Sequence, residues 1–393
     1  MPETAQPPHI STINPHRKRS LWAAIISMGM VNLSMGIAFP LTALILARQG
    51  VEPGMIGLST AAQAAPVFLV SPFAPRIMRH FGPANVMIAG LLISGAAFVL
   101  MALYPGLLPW FPLRFLLGAA ATLLWATSEA WINALAGDER RGRVIGIYSA
   151  AAASGFALGP MTLVLLGTNV MPFYVGAGLM VIAAGIVATA ERSRDHFSAG
   201  KTSSSMWQLV LIAPAALLAN FFFAAAQDSL ITFFPLYAIG TGMTEAAGLA
   251  LLTIAALGAI VIQPAIGILA DRVNRLGLLT GLVVATLAGY VFLPFIMPGL
   301  IAAGVTLFLI VGFASGIFTL GMVLVGERFR GAELAGASAF STAMWGMGAI
   351  AGAPFAGAAM QLWNPHGLIV AVLLIFLAYL PFPLVAWLRA RKI

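Results

Sequence analysis

The positive charges of this chain of 393 residues are confined to short segments that recur along the sequence. Eighteen of the twenty Lys and Arg residues lie in seven polar segments, and two long apolar stretches separate each segment from the next. In proteins that cross the bilayer many times, Lys and Arg concentrate in the loops that stay in the cytoplasm. The pattern therefore predicts twelve transmembrane helices, two for each of six intervals, with both termini in the cytoplasm. The charges are Arg17, Lys18, Arg19; Arg76, Arg79; Arg140, Arg141, Arg143; Arg192, Arg194, Lys201; Arg272, Arg275; Arg328, Arg330; and Arg389, Arg391, Lys392.

Composition points to the same class of protein. With 61% hydrophobic and 8% charged residues, the chain has too little polar surface to cover a soluble globule. The net charge of +8 lies beside apolar stretches, where it sets orientation and meets anionic lipid headgroups, so we expect a lipid bilayer and no nucleic acid as its partner. Arg outnumbers Lys seventeen to three, which is typical of a GC-rich bacterial genome, and for such a multi-spanning protein we expect the bacterial inner membrane.

The apolar stretches define an all-α polytopic protein. Each is long enough for a hydrocarbon core of about 30 Å, which takes roughly 20 helical residues. The predicted spans are residues 20–42, 54–75, 84–103, 108–136, 143–166, 170–190, 207–238, 246–270, 277–297, 299–325, 333–358 and 366–388.

The chain is expected to divide into two six-helix bundles, residues 20–190 and 207–388. A charged, Ser-rich linker at residues 191–206 would join them in the cytoplasm. Residues 1–19 are interpreted as a cytoplasmic tail, because no small-residue cleavage site follows them, and residues 389–393 as a second tail.

The two halves also resemble each other. Phe39-Pro40-Leu41 recurs as Phe234-Pro235-Leu236, at an offset of 195 residues. The loop with Arg141-Gly142 has a counterpart with Glu327 and Arg330-Gly331. Internal duplication of this kind is typical of transporters that rock two bundles about a central site.

Two motifs give the chain a family resemblance. Residues 267–272 read Gly-Ile-Leu-Ala-Asp-Arg and precede Arg275, which resembles the loop motif of the major facilitator superfamily. The copy in the first half keeps Arg76 and Arg79 but has lost the motif's Gly and Asp, while Arg114 and Gly118 match the Arg-x-x-x-Gly motif of the fourth span. The resemblance implies two pseudo-symmetric six-helix bundles, a monomeric transporter rather than an enzyme, and no cofactor.

Two further resemblances are narrower. Residues 129–133 (Glu-Ala-Trp-Ile-Asn), residues 234–237 (Phe-Pro-Leu-Tyr) and Gln263-Pro264 are similar to the YcaD-like branch of the superfamily. The fifth span resembles the antiporter motif, although Leu163 and Val164 replace its closing Gly pair. That motif implies helix packing and favours efflux over uptake. Its matching residues are Gly146, Gly155, Gly159 and Pro160.

Three charged side chains lie well within the spans, namely Arg114, Glu129 and Asp228. Each costs about 2.5–3.5 kcal/mol near a helix centre, so the protein interior must compensate it. Arg114 shares a helical face with Gly118, Ala121 and Trp125, which predicts that this stripe points inward. Arg114 would then either bond to neighbouring helices as a structural residue or contact the substrate cavity or a coupling acid.

Asp228 is the predicted proton-coupling residue. A carboxyl group in a low-dielectric interior can exchange protons near physiological pH. Asn220, Phe223 and Gln227 lie close to it on the seventh span, and the alternatives for Asp228 are a permanent pair with Arg114 or a hydrogen bond between packed helices. Asn32 has the equivalent place on the first span, where its neutrality favours Asp228 as the coupling residue.

Glu129 is expected at an inner gate. It follows Arg114 by fifteen residues, which is roughly 22 Å along a helix and brings it to the cytoplasmic boundary near Arg76 and Arg79. The alternative is direct binding of substrate or protons by Glu129. The corresponding gate in the second half would use Asp271, Arg272, Arg275 and Glu327, with Arg141 and Arg330 in the matching loops.

The polar stripe of Asn32, Arg114, Asn220 and Gln227 is sparse, which suits an amphipathic or aromatic substrate better than a sugar. Trp125 and Trp345 lie among small residues and are the aromatic candidates for the cavity. No His spacing fits a metal site, and no phosphate-binding Gly-Lys-Ser loop is present. We therefore predict a proton-coupled transporter that exports a small organic molecule. The alternatives are a proton symporter for a vitamin or organic acid and, less favoured, a membrane sensor or membrane-embedded enzyme.

Overall fold

The computed structural model describes residues 15–136, 141–190 and 212–391, which form fifteen helices and no β-strand. Eight helices precede residue 191: α1 (Pro15–Arg48), α2 (Pro53–Ala64), α3 (Pro66–Val70), α4 (Ala74–Phe81), α5 (Pro83–Leu103), α6 (Leu107–Leu135), α7 (Arg141–Leu166) and α8 (Met171–Ala188). Seven follow residue 211: α9 (Pro214–Gly240), α10 (Glu245–Ala270), α11 (Arg275–Ile296), α12 (Leu300–Arg328), α13 (Gly331–Leu362), α14 (Gly367–Tyr379) and α15 (Pro381–Ala390).

Most of these helices can cross a membrane. Eleven spans in the described part of the chain are long and apolar enough, with α2 and α3 forming one span and α14 and α15 another. Helix α13 is 32 residues long and contains the predicted span 333–358, but its Ala- and Gly-rich sequence is less apolar. Large apolar side chains cover the outside, as at Leu108, Ile301 and Leu362, which are 81%, 83% and 90% exposed. The predicted all-α polytopic membrane fold is confirmed.

Small residues bring the central helices together. Helix α7 packs along α1, where a Cβ at Gly155 or Gly159 would clash with the backbone of Gly29 or Gly36. Helix α13 packs along α9 in the same way at Gly348 and Gly352. Lipid tails are as apolar as the side chains, so such close packing is a main source of helix association in membranes.

Only part of the predicted packing motif of α7 contacts another helix. Gly155 and Gly159 face α1, and Pro160 beside them is buried. Gly146 is exposed, and a Cβ there would meet no atom within 4 Å among the described residues.

The two ends of the bundle differ in charge. The end that carries α4 and residues 271–274 holds Arg76, Arg79 and Arg272 and is called the basic end. The other end carries residues 49–52, 167–170, 241–244 and 363–366 and is called the opposite end.

The helices before residue 191 meet those after residue 211 through three main pairs: α2 with α13, α7 with α10, and α1 with α9. Among described residues, all hydrogen bonds and ion pairs between these two sets lie at the opposite end. Within the described residues, polar contacts therefore join the two sets at the opposite end. The division into two six-helix bundles at residues 191–206 falls outside the described residues and stays a prediction.

Candidate functional site

Arg114 occupies a polar cluster inside the first set of helices. The lack of a side chain at Gly118 lets α2 approach α6, since a Cβ there would clash with the backbone oxygen of Gln63. As a result Arg114 Nε donates to Gln63 Oε1 at 3.2 Å, and its Nη1 donates to Thr42 Oγ1 at 3.1 Å and Ser59 Oγ at 3.5 Å. The residue is only 1% exposed, and its Nη2 has no hydrogen-bond partner among the described residues.

Asp228 belongs to the other set of helices. It lies in the middle of α9 and is partly exposed. It lies near enough to Arg114 of α6 for a charge–charge interaction, yet no ion pair or hydrogen bond of Asp228 occurs within the described residues. Asp228 and Arg114 thus approach each other from the two sets of helices, and their roles stay a prediction.

Three aromatic rings from three helices, one of them the helix of Asp228, form a cluster. The ring centroids of Phe223 (α9), Phe318 (α12) and Trp345 (α13) are 5.5–5.6 Å apart. Phe223 is buried, whereas the other two side chains remain partly exposed. We refer to these residues as the aromatic trio. It contains the predicted cavity residues Phe223 and Trp345.

Polar atoms flank the aromatic trio along α9 and α13. Asn220 Nδ2 donates to the backbone oxygen of Ser341 at 3.3 Å and lies 3.5 Å from Met322 Sδ. Asn220 Oδ1, Gln227 Oε1 and Ser341 Oγ are buried atoms without a described hydrogen-bond partner. Asn32 differs, because its amide donates to the backbone oxygen of Met28 at 2.8 Å within α1.

Trp125 and Glu129 extend the Arg114 stripe of α6 towards the basic end. Trp125 is 37% exposed, although its ring meets that of Tyr148 edge to face at 6.0 Å. The Tyr148 hydroxyl is hydrogen-bonded to Ser128 at 3.0 Å. Glu129 is exposed. The stripe thus runs from the buried Arg114 to the exposed Trp125 and Glu129.

The residues predicted for the two gates differ in their contacts. Asn274 caps α11 by accepting from Gly277 N at 2.8 Å, which places Arg275 at the helix start. Arg275 bonds to Asp271 at 3.2 Å and forms an ion pair with Glu327. Within the described residues no ion pair joins Glu129 to a cation. The remaining predicted gate residues, Arg76, Arg79, Arg272 and Arg330, are exposed, and the side chain of Arg141 lies outside the described part.

An unpredicted polar cluster joins the sets at the opposite end. Arg48 of α1 pairs with Glu245 of α10, and both bond to Thr168. Gln361 Nε2 of α13 donates to Glu52 at 2.8 Å. No sequence motif links Arg48, Glu52 and Glu245 to one another.

Other site residues were also missed. Gln63 is a polar amide within a predicted span, and this signal could have linked it to Arg114. Phe318 is one of twenty-five Phe residues, and Ser341 is a small residue in an Ala- and Gly-rich helix, so neither position was recognisable from the sequence.

Comparison with known proteins gives a consistent result. The family model described as the Major Facilitator Superfamily matches residues 21–317 and 245–392. The MFS-type transporter YfkF of Bacillus subtilis (strain 168) is 26% identical over 315 residues, covering 76% of this chain and 78% of that protein. The MFS-type transporter YcaD of Salmonella enteritidis PT4 is 20% identical over 92% of this chain and 94% of that protein.

Two further similarities concern function and fold. Multidrug resistance protein 2 of Bacillus subtilis is 27% identical over 154 residues, which cover 39% of this chain and 38% of that protein. The crystal structure of the nucleoside transporter NupG superimposes with a TM-score of 0.71 at 14% identity, over 95% of this chain and 98% of that chain. At this identity the structural likeness concerns the fold.

Proposed function

This chain belongs to the Major Facilitator Superfamily of membrane transporters, and we propose that it exports a small aromatic or amphipathic molecule across the bacterial inner membrane in exchange for protons. Membership of this family and the similarity to its relatives indicate a multi-pass membrane transporter rather than an enzyme. The export direction is supported by the partial similarity to a multidrug resistance protein and by the antiporter-like residues Gly155 and Gly159. The transporter acts as a monomer, with both termini and the basic end in the cytoplasm.

The observation that carries this proposal is the relationship between Arg114 and Asp228. They belong to different sets of helices and lie near enough for a charge–charge interaction, and Asp228 has no hydrogen-bond partner among the described residues. When Asp228 gains a proton, its attraction to Arg114 is lost. The two sets can then separate around this point, which couples proton binding to a change of conformation.

The described contacts support a state that is open at the basic end. The two sets are fastened at the opposite end by Arg48, Glu245, Glu52 and Gln361. At the basic end, Glu129 and Trp125 are exposed. In this state substrate enters from the cytoplasm. The gate around Glu129, with Arg76 and Arg79, closes in the alternate state, and the Arg275–Glu327 pair holds α11 and α12 together throughout.

A second candidate function is proton-coupled uptake of an organic acid. The free Nη2 of Arg114 favours it, because a guanidinium with an unused donor can bind a carboxylate. The carboxylate of an anionic substrate would then bond to Arg114 Nη2, which Asp228 does not contact. The two candidates differ in the direction of proton movement relative to substrate.

A transport assay separates them. Purified protein is reconstituted into proteoliposomes that contain a pH-sensitive dye, a pH gradient of either sign is imposed, and a library of aromatic compounds and organic acids is added. Substrate and proton fluxes in opposite directions support antiport, and parallel fluxes support uptake. Substrate flux without any proton signal would contradict both and leave a uniporter.

A further inference from the structure

We propose that the helices after residue 211 contain a subsite for a planar aromatic molecule of one or two rings that carries N–H or O–H donors at both edges. The ring packs against the aromatic trio, and the donors bond to Asn220 and Ser341 at one edge and to Gln227 at the other. This inference rests on the proposed function, because it names the class of molecule that the transporter carries.

The aromatic trio has the geometry of a ring-binding surface. The Phe223 and Phe318 rings are stacked, with an interplanar angle of 29°, and Trp345 meets Phe318 edge to face at 77°. Aromatic pairs at such separations are favourable in offset or edge-to-face arrangements, and a further ring can continue the pattern. Phe318 and Trp345 remain partly exposed, so part of their surface is free to receive a ligand.

The polar atoms beside the trio indicate what the ring must carry. Asn220 is 3% exposed and Ser341 is 1% exposed, yet Asn220 Oδ1 and Ser341 Oγ have no described partner. Buried polar atoms are seldom left unbonded, and each exception calls for an explanation. An amide oxygen accepts hydrogen bonds and a hydroxyl can accept or donate, so a ligand group that satisfies both positions is a donor.

The spacing along α9 sets the size of the ligand. Asn220, Phe223 and Gln227 follow at steps of three and four residues and therefore lie on one face of the helix. Asn220 and Gln227 are separated by seven residues, or roughly 10 Å along the axis, with Phe223 between them. This distance accommodates one or two fused rings with a polar substituent at each edge. On α13, Ser341 and Trp345 are four residues apart, so a polar and an aromatic side chain again lie on one helix face.

Binding of two matched probes tests the subsite. Protein in lipid nanodiscs is dialysed to equilibrium against 2,7-dihydroxynaphthalene or 2,7-dimethoxynaphthalene, with empty nanodiscs to subtract partition into lipid. The two probes share the ring and differ in their donors. We expect the dihydroxy compound to bind about fivefold more tightly, as one or two neutral hydrogen bonds allow. Equal affinities, or no binding above empty nanodiscs, would overturn the proposal.

Variants assign the effect to residues. Phe318→Leu is expected to lower the affinity for both probes by about 3- to 10-fold, because one ring contact is lost. Asn220→Leu and, independently, Ser341→Ala should lower the affinity for the dihydroxy compound. The affinity for the dimethoxy compound should stay unchanged. The matched control is Phe292→Leu, since Phe292 lies on α11 with 56% of its surface exposed. Equal losses in Phe292→Leu and Phe318→Leu would contradict a specific site.

The dialysis needs no gradient, so its outcome is independent of proton coupling. If the probes bind wild type and variants as expected but no proton flux is detected in proteoliposomes, proton coupling is refuted and the subsite is retained. Substrate-driven proton flux that is identical in wild type, Phe318→Leu and Asn220→Leu would refute the subsite and leave the transporter standing.

Discussion

Arg48, in the last turn of α1, forms an ion pair with Glu245, in the first turn of α10, and so joins the two sets of helices at the opposite end. Thr244 places Glu245 there, because its side chain caps α10 by accepting from Ala247 N at 3.2 Å. A cation at a helix C-terminus and an anion at a helix N-terminus are each favoured by the helix dipole. Thr168 completes the cluster, as its backbone oxygen accepts from Arg48 Nη1 at 2.7 Å.

The Arg48–Glu245 ion pair is weak enough to break and re-form when the opposite end opens and closes. The Arg48 and Glu245 side chains are 50% and 27% exposed. Ion pairs in such positions stabilise by about 0–1 kcal/mol, which corresponds to at most about a fivefold change in a population. The cluster therefore biases the opposite end towards closure without preventing its release in a transport cycle.

Removing the charge of Glu245 is expected to favour opening at the opposite end. The reporter is Ala353→Cys, because Ala353 is fully buried on α13 against Gly57 of α2 and the native chain has no Cys. In the Glu245→Gln background, labelling of this cysteine by a membrane-impermeant maleimide from outside should rise by about two- to fivefold. The measurement is the labelling rate in intact cells.

Two variants control this experiment. Glu333→Gln removes an exposed acid from the first turn of α13 and should leave the labelling rate unchanged. The double variant Arg48→Glu with Glu245→Arg restores opposite charges and should return the rate towards wild type. A rate in Glu245→Gln equal to that of Glu333→Gln would exclude the pair as a latch.

The glycines of α7 provide a matched test of helix packing. Gly159→Ala places a methyl group against the backbone of Gly36, whereas Gly146→Ala points into open space. Overpacking typically costs about 1–3 kcal/mol, while Ala in an open helical position is favourable by up to about 1 kcal/mol. Gly159→Ala should therefore lower the thermal midpoint in detergent and Gly146→Ala should maintain or raise it.

The reverse order of midpoints, or equal losses in both variants, would show that the α1–α7 contact does not depend on a glycine at residue 159. Ser154→Ala, at an exposed position on the same helix, serves as the neutral reference.

Much of the fold was predictable because the bilayer imposes strong rules on sequence. The spacing of basic segments and the length of apolar stretches predicted the helices, although the second span is divided at Ala65 into α2 and α3. The charges of Arg114 and Asp228 stood out because an ionised group inside a membrane needs a partner or a function. Whether they act together in coupling stays a prediction.

Contacts between distant residues were not predictable. Arg48 and Glu245 are 197 residues apart, and nothing in the local sequence of either names the other. Phe318 joins the aromatic trio only because α12 packs beside α9 and α13. Glu129 shows a different limit, because its proposed partners Arg76 and Arg79 are not paired with it in this conformation, and a sequence does not say which of two conformations a structure will show.

Replacing Asp228 with Asn should uncouple transport. The amide cannot exchange a proton, so accumulation of substrate against its gradient should fall to background, while exchange down a gradient should persist in part. The measurement compares driven uptake and equilibrium exchange in proteoliposomes. Glu333→Gln is again the control for loss of an acid far from Arg114. Unchanged driven transport in Asp228→Asn would rule out the coupling role.

The two ends of the bundle should respond with opposite signs to loss of a carboxylate. Trp125→Cys reports opening at the basic end, because Trp125 is already 37% exposed there. Glu129 has no ion pair among the described residues of this conformation, so we expect Glu129→Gln to act mainly by destabilising the proposed closed gate with Arg76 and Arg79. Labelling of Trp125→Cys in inside-out vesicles is therefore expected to rise.

Glu245→Gln should lower the same labelling, because it destabilises the state that is closed at the opposite end and open at the basic end. Opposite changes of Trp125→Cys labelling in the two variants would mean that both carboxylates act on one equilibrium between two conformations. Changes of the same sign would mean that the ends open independently, and an unchanged rate in Glu129→Gln would remove Glu129 from the gate.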